Sequence, residues 1–456
     1  MLQKKHKIHF VGIGGIGMSG IAEVLLNSNY VVTGSDLQES DATRRLRALG
    51  AQIFIGHQEE NIAGNPSVVV ISTAVKYSNP EVLEARRRHI PVIPRAEMLA
   101  ELMRMRYGVA VAGSHGKTTT TSMIAAVLSA AGLDPTMVIG GRLHMLGTNA
   151  KMGQGEMLVA EADESDGSFL FLSPTIAVVT NIDKEHMDFH QTMERLNENF
   201  LSFINKVPFY GLAVLCIDDA NVRGLLAKVR KRFTTYGLSP EAEFSAQDLN
   251  MSPAGVEFTA LRQGKSLGKL HLRLPGKLSA TNSLAAVAVA HELEIPFSHI
   301  AQALGAFTGI DRRFEIKGEP KGVLVIDDYG HHPAEIRATI GAIRDSWKRP
   351  LTVIFQPHRY TRTRDLFDEF LTAFEGADRL ILTEIYAAGE DPIAGATGEA
   401  LYQAIKRRGH LDVEFVADKS HIVEQVTAKL TAGDVALTLG AGDIFKIGDA
   451  LVEAMK

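Results

Sequence analysis

The chain has 456 residues, too many for one ordinary domain and suited to two to four. It is 45% hydrophobic and 22% charged, the balance of a soluble globular protein, and its net charge of −5 with interspersed signs offers no basic surface for nucleic acid or a membrane. Its one cysteine, Cys216, excludes an internal disulfide; with no signal-type apolar run and no stretch of membrane-spanning length, we expect a cytoplasmic protein.

The first hundred residues alternate between short apolar runs and helical patterns. "IHFVGIG" reads as a strand, "GMSGIAEVLLNSN" as a helix and "YVVTGSD" as a second strand. "DATRRLRALG" is a helix closed by Gly50, "SVVVIST" a strand, and "NPEVLEARRRH" a helix with Pro80 near its start. "IPVIPRAEMLAELMR" adds a short strand and a helix, completing a parallel doubly wound pattern. A second unit opens on the strand "YGVAVAG" and continues through "EMLVAEAD", "TIAVVTNI" and "GLAVLCID". From about residue 240 to 275 the alternation is that of antiparallel hairpins, and "NSLAAVAVAHEL" returns to helix. Four apolar strands, "GVLVIDDYG", "LTVIFQPH", "DRLILTEIY" and "DVALTLGAG", form a third unit. The expected fold is α/β in three domains: a Rossmann-like one over 1–106, a central P-loop-type ATPase domain with a mostly parallel sheet over 107–310, and a Rossmann-like one over 311–456.

Two glycine loops follow strands. Gly12, Gly14 and Gly17 satisfy G-x-G-x-x-G together with Ile13, Gly15 and Ile16, and the acid Asp36 follows roughly 20 residues on, as a dinucleotide or sugar-nucleotide diphosphate site requires. A tight Rossmann turn is the plainer reading. The second loop, Gly113-Ser114-His115-Gly116-Lys117-Thr118, is two residues shorter than the standard phosphate loop: Val111 stands where its first glycine belongs. What a phosphate cradle needs is still there. Backbone N–H groups are unobstructed, a helix begins behind them at the threonine run from Thr118 and Thr119, Lys117 can neutralise β/γ oxygens and Thr118 can ligate Mg²⁺. A dehydrogenase has no use for the second loop, and a plain ATPase has none for the first.

Downstream, "VAEADESDGSF" ends a strand with Glu161, Asp163, Glu164 and Asp166, candidates for Mg²⁺ as on a Walker B strand, against a solvated acidic turn as the alternative. "VVTNIDKEHMDFH" ends another strand with Asp183, Glu185, His186, Asp188 and His190, a spacing that is not a zinc site. In the third unit, "VIDDYGHHPAEI" carries Asp327, Asp328, His331 and His332, and "PHRYTRTRDL" carries His358, Arg359, Arg362 and Arg364, a grouping suited to an anion. Arg312 and Arg313 stand where the second and third units join.

In this order, "GIGGIGMSG", "AGSHGKTTTT", "EADESD", "NIDKEHMD", "RRFE", "DDYGHHPAEI" and "PHRYTRTRDLF" resemble the Mur ligases of peptidoglycan synthesis, over nearly the whole chain. The resemblance, closest to the alanine-adding branch, implies that ATP phosphorylates the lactyl carboxylate of UDP-N-acetylmuramate. The amine of L-alanine then attacks the acyl phosphate, leaving an amide. By the same resemblance Gly113 to Thr119 hold ATP, with Asn282, Arg313 and Asp328 as further nucleotide contacts. Lys117, Glu161 and His186 carry the catalysis, with two Mg²⁺ ions held by Thr118, Glu161 and His186. The first loop (Gly12, Gly14, Gly15, Ile16, Gly17), Asp36 and the strand end Ser72-Thr73-Ala74 hold the UDP-sugar, and His358, Arg359 and Arg362 hold the amino acid. The family's P-G-x-H-N-x-x-N is departed from at two positions, where Leu278 and Ser279 replace the histidine and the first asparagine. Lys206 is not given the role of the family's modified lysine. Alternatives are a recycling ligase that takes a preformed tripeptide, an NAD(P)-dependent dehydrogenase built on the first loop, and a non-catalytic UDP-sugar sensor.

Overall fold

Each glycine loop closes the carboxyl end of a buried strand. The structure, a computed structural model, describes residues 6–72, 74–143, 148–409 and 412–456. The chain divides into two compact units, one of Met1–Gln247, Thr259–Leu270 and Thr281–Phe307, the other of Asp248–Phe258, His271–Ala280 and Thr308–Lys456.

In the first unit, β1 (Lys7–Val11), β2 (Val31–Asp36), β3 (Gln52–Ile55), β4 (Val68–Ile71) and β5 (Val92–Pro94) form a parallel sheet in the order β3-β2-β1-β4-β5. The order reverses between β1 and β4, which opens a crevice at the strands' carboxyl ends. Helices α1 (Ile16–Asn27), α2 (Asp41–Ala48), α3 (Pro80–Arg87) and α4 (Arg95–Arg104) follow β1, β2, β4 and β5. Their starts are written locally: Ser40 and Thr43 form a capping box on α2, and Asn79 caps α3 with Pro80 in its first turn.

The second sheet contains β6 (Tyr107–Ala112), β7 (Thr136–Leu143), β8 (Thr148–Lys151), β9 (Met157–Glu161), β10 (Ile176–Val179), β11 (Leu212–Cys216) and β12 (Phe233–Tyr236), in the order β12-β11-β10-β6-β9-β7-β8. All neighbours are parallel except β7 and β8. Burial on both faces explains why β6 and β10 read as continuous apolar runs, with Val109 to Ala112 and Ile176 to Val179 fully buried. Then come β13 (Phe244–Ser252), β14 (Gly255–Arg262) and β15 (Lys265–Leu272), consecutive neighbours joined by the two-residue turns Pro253-Ala254 and Gln263-Gly264. Connections that short join only antiparallel strands, as the alternating sequence predicts. Helix α5 (Lys117–Ala130) follows β6.

In the second unit, β16 (Glu315–Gly318), β17 (Leu324–Asp328), β18 (Leu351–Phe355), β19 (Arg379–Leu382), β20 (Val413–Phe415) and β21 (Val435–Leu439) lie in the order β16-β17-β21-β18-β19-β20, parallel except at β16. The four apolar strands read from sequence are the central ones; β16 and β20 are short, partly exposed edges with no apolar run to betray them. No helix of the described residues is long and apolar enough to cross a membrane.

Candidate active site

The shortened loop between β6 and α5 needs both its glycines. Gly113 has φ +140°, and a Cβ there would lie 2.0 Å from Thr180 Oγ1; Gly116 has φ +79°, with Asn282 Oδ1 3.1 Å from the equivalent point. The end of β10 staples the loop backbone. His115 N donates to Asn181 Oδ1 at 2.8 Å, while Asn181 Nδ2 and Thr180 Oγ1 donate to His115 O at 2.9 and 2.6 Å. Asp183 N donates to Ser114 Oγ at 2.8 Å, and His115 Nε2 lies 3.2 Å from Asp183 Oδ2. Thr118 and Thr119 stand in the first turn of α5, where helix N–H groups have no intrahelical acceptor and face an anion well.

Lys117 Nζ donates to both oxygens of the buried Glu164, at 2.9 and 2.8 Å, and to Gly113 O at 2.5 Å. Burial opposes the lysine's charge, but the Glu164 and Asp163 carboxylates hold its pKa above the ordinary lysine range. Burial pushes Glu164 up to about 7 against the pull of Lys117, with Asp163 and Glu185 adding to the rise.

Pairing of Val111 with Glu161 places the end of β9 beside the start of the loop. His186, half-buried with φ +55°, precedes the short helix Met187–His190. Glu164, Glu185 and His186 each present a ligand atom within 4.8 Å of the others, and Glu161 is not part of that group. Two carboxylates and an imidazole fit a divalent cation that completes its shell with water and phosphate oxygens. The sequence marks Glu164 and Glu185 only as members of acidic segments; folding selects them. His190 is structural. It is fully buried, its Nε2 is 2.8 Å from Glu164 O and its Nδ1 3.1 Å from Asn199 Nδ2, and burial lowers its pKa.

At the first loop, Gly12 N and Ile13 N donate to Ser35 O at 2.8 and 2.9 Å, and Gly14 N donates to Asp36 Oδ2 at 2.8 Å. Asp36 therefore shapes the loop itself; a Cβ on Gly14 would lie 2.9 Å from that oxygen. Gly15 caps α1, Ile16 opens it, and Gly17 lies in its first turn. Ser35 is anchored in turn, donating to the fully buried Glu81 Oε2 at 2.6 Å, with His9 Nε2 3.2 Å from the same oxygen. Ser72 Oγ is 3.9 Å from where a Gly12 Cβ would be, and Ala74 is exposed. Thr73 lies outside the described residues.

Asn282, on the helix Lys277–Glu292, is the buried side chain against Gly116. On the same helix Leu278 is 51% exposed, and Ser279 Oγ donates to Pro275 O at 2.8 Å.

In the second unit, both Asp328 oxygens serve the local backbone: Oδ2 accepts from Phe314 N at 2.7 Å, Oδ1 from Gly330 N at 2.8 Å. The neighbouring Asp327 is pushed up to about 6 by burial, although Thr438 Oγ1 donates to it at 2.6 Å. Arg313 lies over the Tyr329 ring at 4.9 Å with Nη1 3.6 Å from Glu335 Oε1. His358 stacks on Tyr386, centroids 5.7 Å apart, and Arg362 Nη1 is 3.2 Å from its Nδ1. Burial, then the charges of His331, Arg362, Arg359 and Arg312, push His358 down to about 3. This is a strongly positive site around a neutral imidazole. The exposed Arg359 has φ +69° and its N donates to Tyr386 O at 2.9 Å. Arg364 pairs with Asp365 at 2.7 Å on the surface, in the last turn of the short helix Tyr360–Asp365.

Open parallel sheets, a Rossmann-type diphosphate loop and a lysine-bearing phosphate loop with an acid cluster beside it define a nucleotide-handling α/β protein. The chain belongs to the Mur ligase family: the family models described as "Mur ligase family, catalytic domain", "Mur ligase middle domain" and "Mur ligase, glutamate ligase domain" match residues 7–107, 111–290 and 312–442. It is 58% identical to a UDP-N-acetylmuramate–L-alanine ligase of Geotalea uraniireducens over 456 residues, covering 100% of this chain and 99% of that protein. It is 57% identical to the ligase of the same name from Geobacter sulfurreducens over 458 residues, covering 100% and 99%. Among solved structures, UDP-N-acetylmuramate-alanine ligase MurC from Thermotoga maritima matches with a TM-score of 0.81 at 30% identity, covering 98% of this chain and 99% of that one. The fold is shared with a murein peptide ligase from Psychrobacter arcticus, TM-score 0.69 at 23% identity, covering 99% and 98%.

Proposed function

We propose that this chain is an ATP-dependent ligase that joins L-alanine to the lactyl carboxylate of UDP-N-acetylmuramate through an acyl phosphate, releasing ADP and phosphate, in the cytoplasmic synthesis of peptidoglycan precursors. The observation that carries this reading is the 58% identity to an alanine-adding ligase along the full chain. The phosphate loop with its buried lysine supports it. Domains of 1–106, 107–310 and 311–456 divide the work into sugar-nucleotide binding, phosphoryl transfer and amino-acid capture.

The amides of Gly116 to Thr119 cradle the ATP phosphates on a loop whose backbone Gly113, Ser114 and His115 shape, and Lys117 leaves Glu164 to neutralise the charge that develops on the transferred phosphoryl group. Thr118, Glu161 and His186, with Glu164 and Glu185 beside them, are the groups for two Mg²⁺ ions. Bound there, the ions screen the repulsion between a carboxylate and a polyanion. On the first unit, Asn282 beside Gly116 extends the nucleotide site. Gly12, Gly14, Gly15, Ile16, Gly17, Asp36 and the 72–74 strand end take the UDP part. Arg359 and Arg362 grip the alanine carboxylate, and His358, neutral at physiological pH, adds no charge that would need a second anion.

The test is phosphate release from ATP with each co-substrate alone and with both. Release requiring UDP-N-acetylmuramate and L-alanine together supports the reading; release with a preformed tripeptide in place of L-alanine replaces it with the recycling ligase.

A further inference from the structure

Arg95 opens α4 directly after β5, at the same sheet end as the Gly12 loop after β1 and Ser72 after β4. Its guanidinium lies over the first turn of α1: a Cβ on Gly17 would sit 3.0 Å from Nη1 and 3.3 Å from Cζ. The last glycine of the first loop is thus the space that Arg95 occupies. The side chain is 27% exposed, and among the described residues its one charged partner is Asp163, with Nη2 3.9 Å from Oδ2, beyond hydrogen-bond reach. Among the described residues no hydrogen bond engages the guanidinium. Asp163 also feels Lys117 of the other loop, so one carboxylate stands between the cations of the two phosphate sites.

A half-buried guanidinium whose donors no protein acceptor engages is a ready partner for an anion. Here the fork and the amides at the N-terminus of α1 converge on the same space, and both favour a phosphate. A diphosphate suits the pair, one phosphate on the amides of Ile16 and Gly17 in the first turn of α1 and the other gripped bidentately. We infer that Arg95 binds the diphosphate of the sugar nucleotide. This rests on the proposed function, since the UDP-sugar is what occupies the first loop.

The experiment measures binding of UDP, uridine and ATP, each alone, to the full chain and to Arg95→Ala and Arg95→Lys, with uridine read by displacement of UDP-N-acetylmuramate. Arg95→Ala should weaken UDP about ten- to a hundredfold, the range of a charged hydrogen-bonded contact, while uridine and ATP stay within about twofold. Arg95→Lys should recover part of the loss, because lysine keeps the charge and lacks the fork. An equal loss for UDP and uridine would reduce Arg95 to a structural role and overturn the inference, as would unchanged UDP affinity in Arg95→Ala. Failure of the unaltered protein to bind UDP-N-acetylmuramate would instead overturn the proposed function.

Discussion

Lys117 and Glu164 form a closed pair, with Nζ 2.9 and 2.8 Å from the two carboxylate oxygens and both side chains withdrawn from solvent. The lysine that the phosphate loop presents is therefore held by a carboxylate until a more highly charged anion displaces it. Lys117→Ala should lower kcat by about 10²–10³, since one preorganised cation at a developing charge has that effect. The protein should stay folded, because Glu164, already near neutrality at about 7, becomes protonated once its partner is gone. Phosphate release within a few-fold of the unaltered chain would remove Lys117 from the chemistry.

His186→Ala, Glu185→Gln and Glu161→Ala should each raise the Mg²⁺ concentration for half-maximal activity while leaving UDP-N-acetylmuramate binding intact in a metal-free titration. Glu185 stands in the three-ligand group with His186, whereas Glu161 stands beside the loop. A shift for Glu161→Ala with none for Glu185→Gln assigns the ion to the strand end alone; loss of sugar-nucleotide binding in any variant rejects the metal role.

Arg362→Lys should raise the KM for L-alanine well above any change in the KM for ATP. Lysine keeps the charge but cannot hold a carboxylate at two points. Equal effects on all three substrates would mark Arg362 as a support for His358, whose Nδ1 lies 3.2 Å away.

His358 sits at about 3 in the folded protein, against an ordinary value of roughly 6.5. As pH falls, the unfolded chain takes this proton first. The stability it contributes is present above about 6.5 and is lost progressively between 6.5 and 3. The urea midpoint should therefore drop on going from pH 7 to pH 5, and His358→Gln should make that drop smaller. An unchanged drop would place the acid sensitivity elsewhere.

Ser279→Asn with Leu278→His, which restores the family's residues, should lower the KM for ATP several-fold with little change in kcat. Ser279 spends its hydroxyl on Pro275 O at 2.8 Å and half-exposed Leu278 has no polar group to offer. A neutral hydrogen bond nets about 0.5–1.5 kcal/mol, which sets the size of the effect. An unchanged KM would show that neither position touches the nucleotide.

Much of this was legible in the chain. The central strands announce themselves because a sheet covered on both faces demands unbroken apolar runs such as those around Val109 and Ile176, and the loops follow those strands at once. Edge strands β16 and β20 were not legible, because a short half-exposed strand carries no periodic signal. Asp36 was read only as part of the UDP-sugar site, and nothing in the sequence signals that one of its oxygens also holds Gly14 N, because an acid at a strand end looks the same in both roles.

By itself the sequence determined what depends on local order: strand–glycine–helix punctuation, the capping residues, the phosphate lysine one residue after Gly116, and the family. Only the tertiary structure decided which distant side chains share a space. Glu164 rather than another acid of its segment reaches Lys117, Glu185 joins it beside His186, and Arg95, nearly eighty residues from Gly17 in sequence, lies against it in space. A strand end delivers several acids within a few ångströms of one another, and the pleat, the turn that follows and the packing against the neighbouring strand select the one that points inward.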